Sequence, residues 1–252
     1  MGITVRNLSV GYQKPLLTGV HFTLQKGEIL CVLGRNGSGK TTLFKTLLGL
    51  LPKHAGEILI DDVPLDSQNP KHLAQKIAYI PQARKIDFAF TAFEVVLFGR
   101  TSHLPYFGFP TEKDKTIATE MMQQIGIWHL KDKAFSQMSG GEQQLTIIAR
   151  ALTQQPTYIV MDEPTSALDF GNQLKVLQQV KALQSQDIGI ILSTHNPDHV
   201  FLCDSKVAVV KDHTIAALGT PDEVMTEALL KDLYEVEIKI INQKNRKICF
   251  PL

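Results

Sequence analysis

The segment Gly34-Arg35-Asn36-Gly37-Ser38-Gly39-Lys40-Thr41-Thr42 limits what this chain can fold into more than any other stretch. Gly34 to Thr41 fits the pattern GxxxxGK[ST] at every fixed position. The continuous apolar run 29–33 precedes it, as expected of a strand covered on both faces. A helical stretch from Leu43 to Leu48 follows, and Gly49 and Pro52 end it. Glycines in such a loop let backbone N–H groups converge on phosphate oxygens, and the helix adds the positive end of its dipole. Lys40 can reach the β- and γ-phosphates of a nucleotide, and Thr41 can ligate Mg²⁺. The loop predicts nucleotide phosphate binding, a property common to kinases, GTPases, helicases and transport ATPases.

A second motif narrows the field. Tyr158-Ile159-Val160-Met161-Asp162-Glu163 reads as a buried strand ending in two acids. Carboxylates at a strand's C-terminal end lie at the ligand crevice of an open parallel sheet. Asp162 is expected to bind Mg²⁺ through water, and Glu163 to polarise an attacking water as general base. Further strands are predicted over 3–10, 20–24, 57–60, 77–80 and 188–193, with a turn at Asp61-Asp62. From about residue 83 to 137 the character is helical, and Thr111 with Asp114 forms a capping-box start. Short apolar strands alternating with helices indicate an α/β domain with a mostly parallel sheet.

Composition removes several alternatives. The 252 residues are 44% hydrophobic and 20% charged, an ordinary globular balance. A formal net charge of +1 gives no general attraction to nucleic acid. Cys31, Cys203 and Cys249 form no CxxC pair, so neither a disulfide framework nor a zinc site is expected, and Cys31 reads as a small core hydrophobe. No run approaches the roughly 18 apolar residues that span a bilayer. His54, His72, His103, His129, His199 and His213 have no metal-ligand spacing and read as surface or loop residues.

Met138-Ser139-Gly140-Gly141-Glu142-Gln143-Gln144, just upstream of the acidic strand, resembles the LSGGQ signature of ABC ATPases. With Lys40 before it and His195 after it, the order of motifs is similar to that family along nearly the whole chain. Tyr12 resembles the adenine-stacking A-loop aromatic, Gln82 the Q-loop glutamine, Ser166-Ala167-Leu168-Asp169 the D-loop and His195 the switch histidine. The resemblance implies a single nucleotide-binding domain over 1–252. It would have a P-loop NTPase core with a mostly parallel sheet, an N-terminal antiparallel β subdomain and a helical subdomain over about 83–152. It implies ATP contacts from Tyr12, Gly34, Arg35, Asn36, Gly37, Ser38, Gly39, Lys40, Thr41 and Thr42, and Mg²⁺ held by Thr41, Gln82 and Asp162. It assigns catalysis to Glu163, His195, Gln82 and Lys40. Ser139, Gly140, Gly141 and Glu142 would cap ATP on a second copy in a sandwich homodimer. Transmembrane permease subunits and, indirectly, an extracytoplasmic binding protein would be partners, with this chain at the cytoplasmic face of the inner (plasma) membrane and no nucleic acid involved. Two positions depart from the signature. Met138 for Leu conserves volume. Glu142 for Gln would repel a γ-phosphate if it faced one; as the fourth residue of a Ser139-x-x-Glu142 capping box it would turn back to its own helix, leaving Ser139 and the Gly140 and Gly141 amides for phosphate.

The resemblance extends to a subgroup. Gly99-Arg100-Thr101-Ser102-His103 resembles the GR-x-x-H segment of ATPases serving iron–siderophore, haem and cobalamin importers, and the form SGGE and the tail from Gly219 to Tyr234 are similar to that group. Molybdate and tungstate importers share much of this pattern. A soluble ABC ATPase of DNA repair or translation is the alternative from another class; the absence of sustained heptads and of a second motif set speaks against it, and Glu163 and His195 speak against a regulatory domain that does not turn over ATP. Phe88, Phe90, Phe93, Tyr106, Phe107 and Phe109 around Pro105, Gly108 and Pro110 form an aromatic-rich stretch that either contacts a partner or packs its own small core.

Overall fold

Alternation near the N-terminus produces β1 (Gly2–Gly11), which pairs antiparallel with β2 (Pro15–Gln25). Ile3 and Val5 are buried; Asn7, in the left-handed region at φ 45°, re-phases the strand so that Leu8 and Val10 return to the same buried side. This is a computed structural model, and it describes residues 1–82, 89–243 and 246–252. Phe88 and the start of the helical stretch at 83 lie outside the described residues.

The chain continues through β3 (Ile29–Leu33), α1 (Lys40–Leu47), β4 (Ala55–Ile60) and β5 (Val63–Pro64). Then come α2 (Pro70–Lys76), β6 (Ile77–Ile80), α3 (Ala92–Leu97), α4 (Glu112–Ile125), α5 (Gly140–Thr153), β7 (Tyr158–Met161) and α6 (Phe170–Gln184). It ends with β8 (Gly189–Thr194), α7 (Asp198–Cys203), β9 (Lys206–Lys211), β10 (Thr214–Gly219), α8 (Pro221–Val224), α9 (Glu227–Tyr234), β11 (Ile238–Gln243) and β12 (Arg246–Pro251). Two compact units result: Met1–Gln68 with Val180–Leu252, and Asn69–Gln179.

In the first unit, an antiparallel sheet has the order β2-β1-β4-β5, and Asp61-Asp62 makes the last turn with both residues at positive φ. A second sheet runs β10-β9-β3-β8, with β3 parallel to both β8 and β9. All five residues of β3 are buried, as its unbroken apolar sequence requires between parallel neighbours. β11 and β12 form an antiparallel hairpin. In the second unit, β6 lies parallel to β7, and α5 packs on α3 and α4. The apolar positions Ile117, Met122 and Ile125 of α4 are buried, while Met121 is half-buried. Thr111 and Asp114 make the capping box that starts this helix.

The GR-x-x-H segment is a structural clamp in this unit. Arg100 is buried, with Nε donating to Asp114 Oδ1 at 2.8 Å and Nη1 to Thr153 O and Gln155 Oε1 at 3.0 Å. The His103 ring is 2.8 Å from Gln154 O. Thr111 hydrogen bonds and the Arg100 guanidinium hold the Asp114 carboxyl at about 2.

Candidate active site

α1 begins at Lys40, one turn earlier than the apolar pattern from Leu43 suggests, so Lys40 and Thr41 lie in its first turn. Gly39, at φ 100°, precedes it in a conformation other residues resist, and Gly37 is also left-handed at φ 81°. The Lys40 ammonium donates to Gly34 O at 2.8 Å and Arg35 O at 3.0 Å, which fixes it inside its own loop. The Ser38 hydroxyl is buried and has no hydrogen-bond partner among the described residues. An orphan donor beside a helix N-terminus and a buried ammonium fits an anionic phosphate.

Three further predicted positions belong to the first unit. Thr42 is buried on α1. Tyr12 is 63% exposed, and the Lys45 ammonium stands 3.1 Å from its hydroxyl and 5.9 Å from its ring centre. His195 leaves the end of β8, and the N–H of Gly34 donates to Thr194 O at 3.3 Å, so His195 and the loop begin at neighbouring strand ends.

In the second unit, Asp162 and Glu163 follow β7 directly and are both buried. The Asp162 N–H donates to Ile80 O at 2.8 Å, which extends the β6–β7 pairing toward Gln82. Gln82 is thereby brought to Glu163, its Nε2 donating to Oε2 at 3.3 Å. Glu163 has φ 46°, a strained backbone for a residue with a side chain. Its carbonyl accepts from the Ser166 hydroxyl at 3.1 Å and the Ser166 N–H at 3.2 Å, starting the turn through Ala167, Leu168 and Asp169.

Ser139 caps α5. Its hydroxyl accepts from the Glu142 N–H at 3.3 Å, and Glu142 Oε2 accepts from the Ser139 N–H at 2.8 Å. Lys133, which the sequence does not single out, donates to the same oxygen at 2.8 Å. That bond, the Ser139 N–H and the Lys133 charge lower the Glu142 pKa. The side chain is therefore committed to its own helix end. A Cβ on Gly141 would come within 2.5 Å of Asn172 Cγ, so only glycine permits this approach. Asn172 in turn donates to both Asp169 oxygens, at 2.9 and 2.8 Å. The spacing Asp169-x-x-Asn172 is a capping spacing and is the signal by which Asn172 is legible.

One expectation is corrected. His199 is no surface residue: it is buried, with Nδ1 2.8 Å from the Thr194 hydroxyl. Burial, with repulsion from His195, lowers its pKa to about 4. His199 is the second residue of the short helix α7 and faces inward, an orientation that metal-ligand spacing does not reveal. Among the described residues no group of three or more His, Cys, Asp or Glu could hold a metal ion. Cys31 is fully buried, as expected of a core hydrophobe.

The family model of the ABC transporter matches residues 17–166. An uncharacterized ABC transporter ATP-binding protein of Haemophilus influenzae is 38% identical over 244 residues, covering 96% of this chain and 93% of that one. A probable iron chelatin transport ATP-binding protein of Helicobacter pylori is 34% identical over 255 residues, with both chains covered completely. Among solved structures, an inward-facing ABC transporter assigned to the metal-chelate type superposes with a TM-score of 0.87 at 31% identity, covering 100% of this chain and 97% of that one. The α/β fold superposes on that of a relative, the family model covers residues 17–166, and the chain accordingly belongs to the ABC transporter family as an ATP-binding subunit whose ATPase activity is coupled to transport.

Proposed function

We propose that this subunit powers import of a metal chelate such as an iron–siderophore complex, haem or cobalamin. The observation that carries the substrate class is the resemblance of Gly99 to His103 to the GR-x-x-H segment of such importers, supported by relatives described as an iron chelatin transport protein, covered to 100%, and a metal-chelate type transporter, covered to 97%. Uptake by a strain lacking this chain tests it. Loss of labelled iron-chelate, haem or cobalamin uptake is expected. Loss of molybdate uptake alone favours the molybdate importer reading, and normal uptake of all of them overturns the proposal.

In this reading Gly34 to Thr42 cradle the triphosphate, with Lys40 on the β- and γ-phosphates and the Ser38 hydroxyl as a further donor. Tyr12 presents its exposed ring to the base. Thr41 and Asp162, both hard oxygen donors, would hold Mg²⁺, joined by Gln82. The bound ion supplies charge neutralisation on the phosphates. Glu163 takes the proton of the attacking water, and Gln82 orients the Glu163 carboxylate. His195 donates to the γ-phosphate as charge develops there. Ser139 with the Gly140 and Gly141 amides caps ATP bound to a second copy, while Ser166 to Asp169 carry the contact across the pair. Residues 1–252 act as one nucleotide-binding domain in this scheme, and its helical part, about 83–152, meets the permease. Tyr106, Phe107 and Phe109 are 94%, 90% and 88% exposed, unlike Phe93, which packs on Trp128; these three rings are proposed as the contact with that transmembrane partner.

A further inference from the structure

β8 gives way at Thr194 to His195, Asn196 and Pro197, which lead into α7. Several bonds within the first unit fix this exit. The Thr194 hydroxyl lies against His199 and accepts the Asn196 N–H at 3.0 Å. The Asp198 N–H donates to Asn196 Oδ1 at 3.0 Å, and Asp198 Oδ1 accepts the Cys249 N–H from β12 at 2.7 Å. A further bond comes from the last residue of α9: the Tyr234 hydroxyl donates to the His195 carbonyl oxygen at 2.8 Å.

That bond acts on the right variable. A carbonyl held at its oxygen fixes the peptide plane after His195, and with it the direction in which the side chain leaves the backbone. Tyr234 is half-buried, and burial pushes its hydroxyl pKa well above the usual phenol range, so it remains a donor. The neighbouring ion pair of Arg35 with Glu235, at 2.5 Å, is exposed on both sides and contributes little. The Tyr234 hydroxyl bonds His195 itself, whereas the Cys249 N–H reaches the exit three residues further on, at Asp198.

We propose that Tyr234 is a positioning residue for ATP hydrolysis, its hydroxyl holding the His195 carbonyl so that the imidazole is presented in one direction. The proposal rests on the assignment of His195 as the switch histidine.

The test compares steady-state ATP hydrolysis and thermal unfolding for the full chain as wild type, Tyr234→Phe, His195→Ala and the double variant. Tyr234→Phe keeps the ring and its packing and removes only the hydroxyl. We expect kcat to fall about three- to tenfold, the range set by loss of one hydrogen bond, with KM for ATP and the unfolding midpoint unchanged. In the His195→Ala background the same change should have no further effect on residual turnover. A merely structural role would move the midpoint, or would lower turnover equally in both backgrounds; either result overturns the proposal. If His195→Ala loses turnover while Tyr234→Phe matches wild type, the switch assignment stands and the positioning role falls. If His195→Ala itself turns over normally, the switch assignment falls first and the proposal with it.

Discussion

Lys40 is buried and donates to two carbonyls of its own loop, which hold its charge inside that loop. Lys40→Ala removes a charged hydrogen bond worth roughly 1.5–3 kcal/mol, and ATP affinity should fall by about one to two decades in a binding titration. Glu163→Gln separates binding from chemistry. The amide keeps the side chain's shape but cannot take a proton, so single-turnover hydrolysis should slow by about 10²–10⁴ while ATP still binds. Hydrolysis near the wild-type rate would move the base elsewhere. His199 makes a different prediction. Its pKa falls from 6.5 to about 4 on folding, so between those values the unfolded chain binds a proton that the folded chain refuses. Its contribution is complete above pH 6.5 and is lost as pH falls toward 4, by about 3 kcal/mol over the whole window. His199→Gln should flatten that part of the urea-midpoint profile. A retained slope would show that other groups cause it. Lys40, Asp162 and Glu163 were legible as single letters because fixed spacings carry them. His199 and Tyr234 were not, because their partners, Thr194 and the His195 carbonyl, are set by how a helix end meets a strand end.

Among elements, the capping box of α5 and the clamp on Arg100 show two degrees of legibility. Ser139-x-x-Glu142 is local, and both of its bonds formed as its spacing implied. The partners of Arg100 are 14, 53 and 55 residues away, so the same GR-x-x-H letters read as a family mark without revealing a buried ion pair. Arg100→Ala leaves the buried Asp114 with its Thr111 bonds but without its counter-charge, and should cost about 3 kcal/mol in denaturant unfolding at pH 7. The Asp114 pKa is lowered from 3.8 to about 2, so its share of stability is present above 3.8 and drains away as pH falls toward 2. β9 carries the run Val207-Ala208-Val209-Val210, a signal of the same kind as in β3. β5 and the β11–β12 hairpin give little, since their residues are exposed or half-exposed and no buried face imposes alternation.

At the scale of the whole molecule, one motif set supplies half of each proposed composite site, and two-fold pairing would supply the rest. Glu163→Gln with ATP should therefore sediment at about twice the 28.0 kDa of one chain or, if the isolated chain stays single, bind its permease as two copies. A monomer under both conditions would contradict the sandwich. Replacing Tyr106, Phe107 and Phe109 together by Ser should leave ATP affinity intact and abolish co-purification with the permease; retained co-purification would place that contact elsewhere. Tyr12 has a further consequence, for the cell's other nucleotides. A ring that meets a base only through its face measures flatness and size, because every purine offers the same kind of π surface. As the only base contact proposed here, it gives adenine no hydrogen-bonding test that guanine or hypoxanthine would fail, and so the subunit should accept GTP and ITP nearly as readily as ATP, its fuel decided by which triphosphate is most abundant.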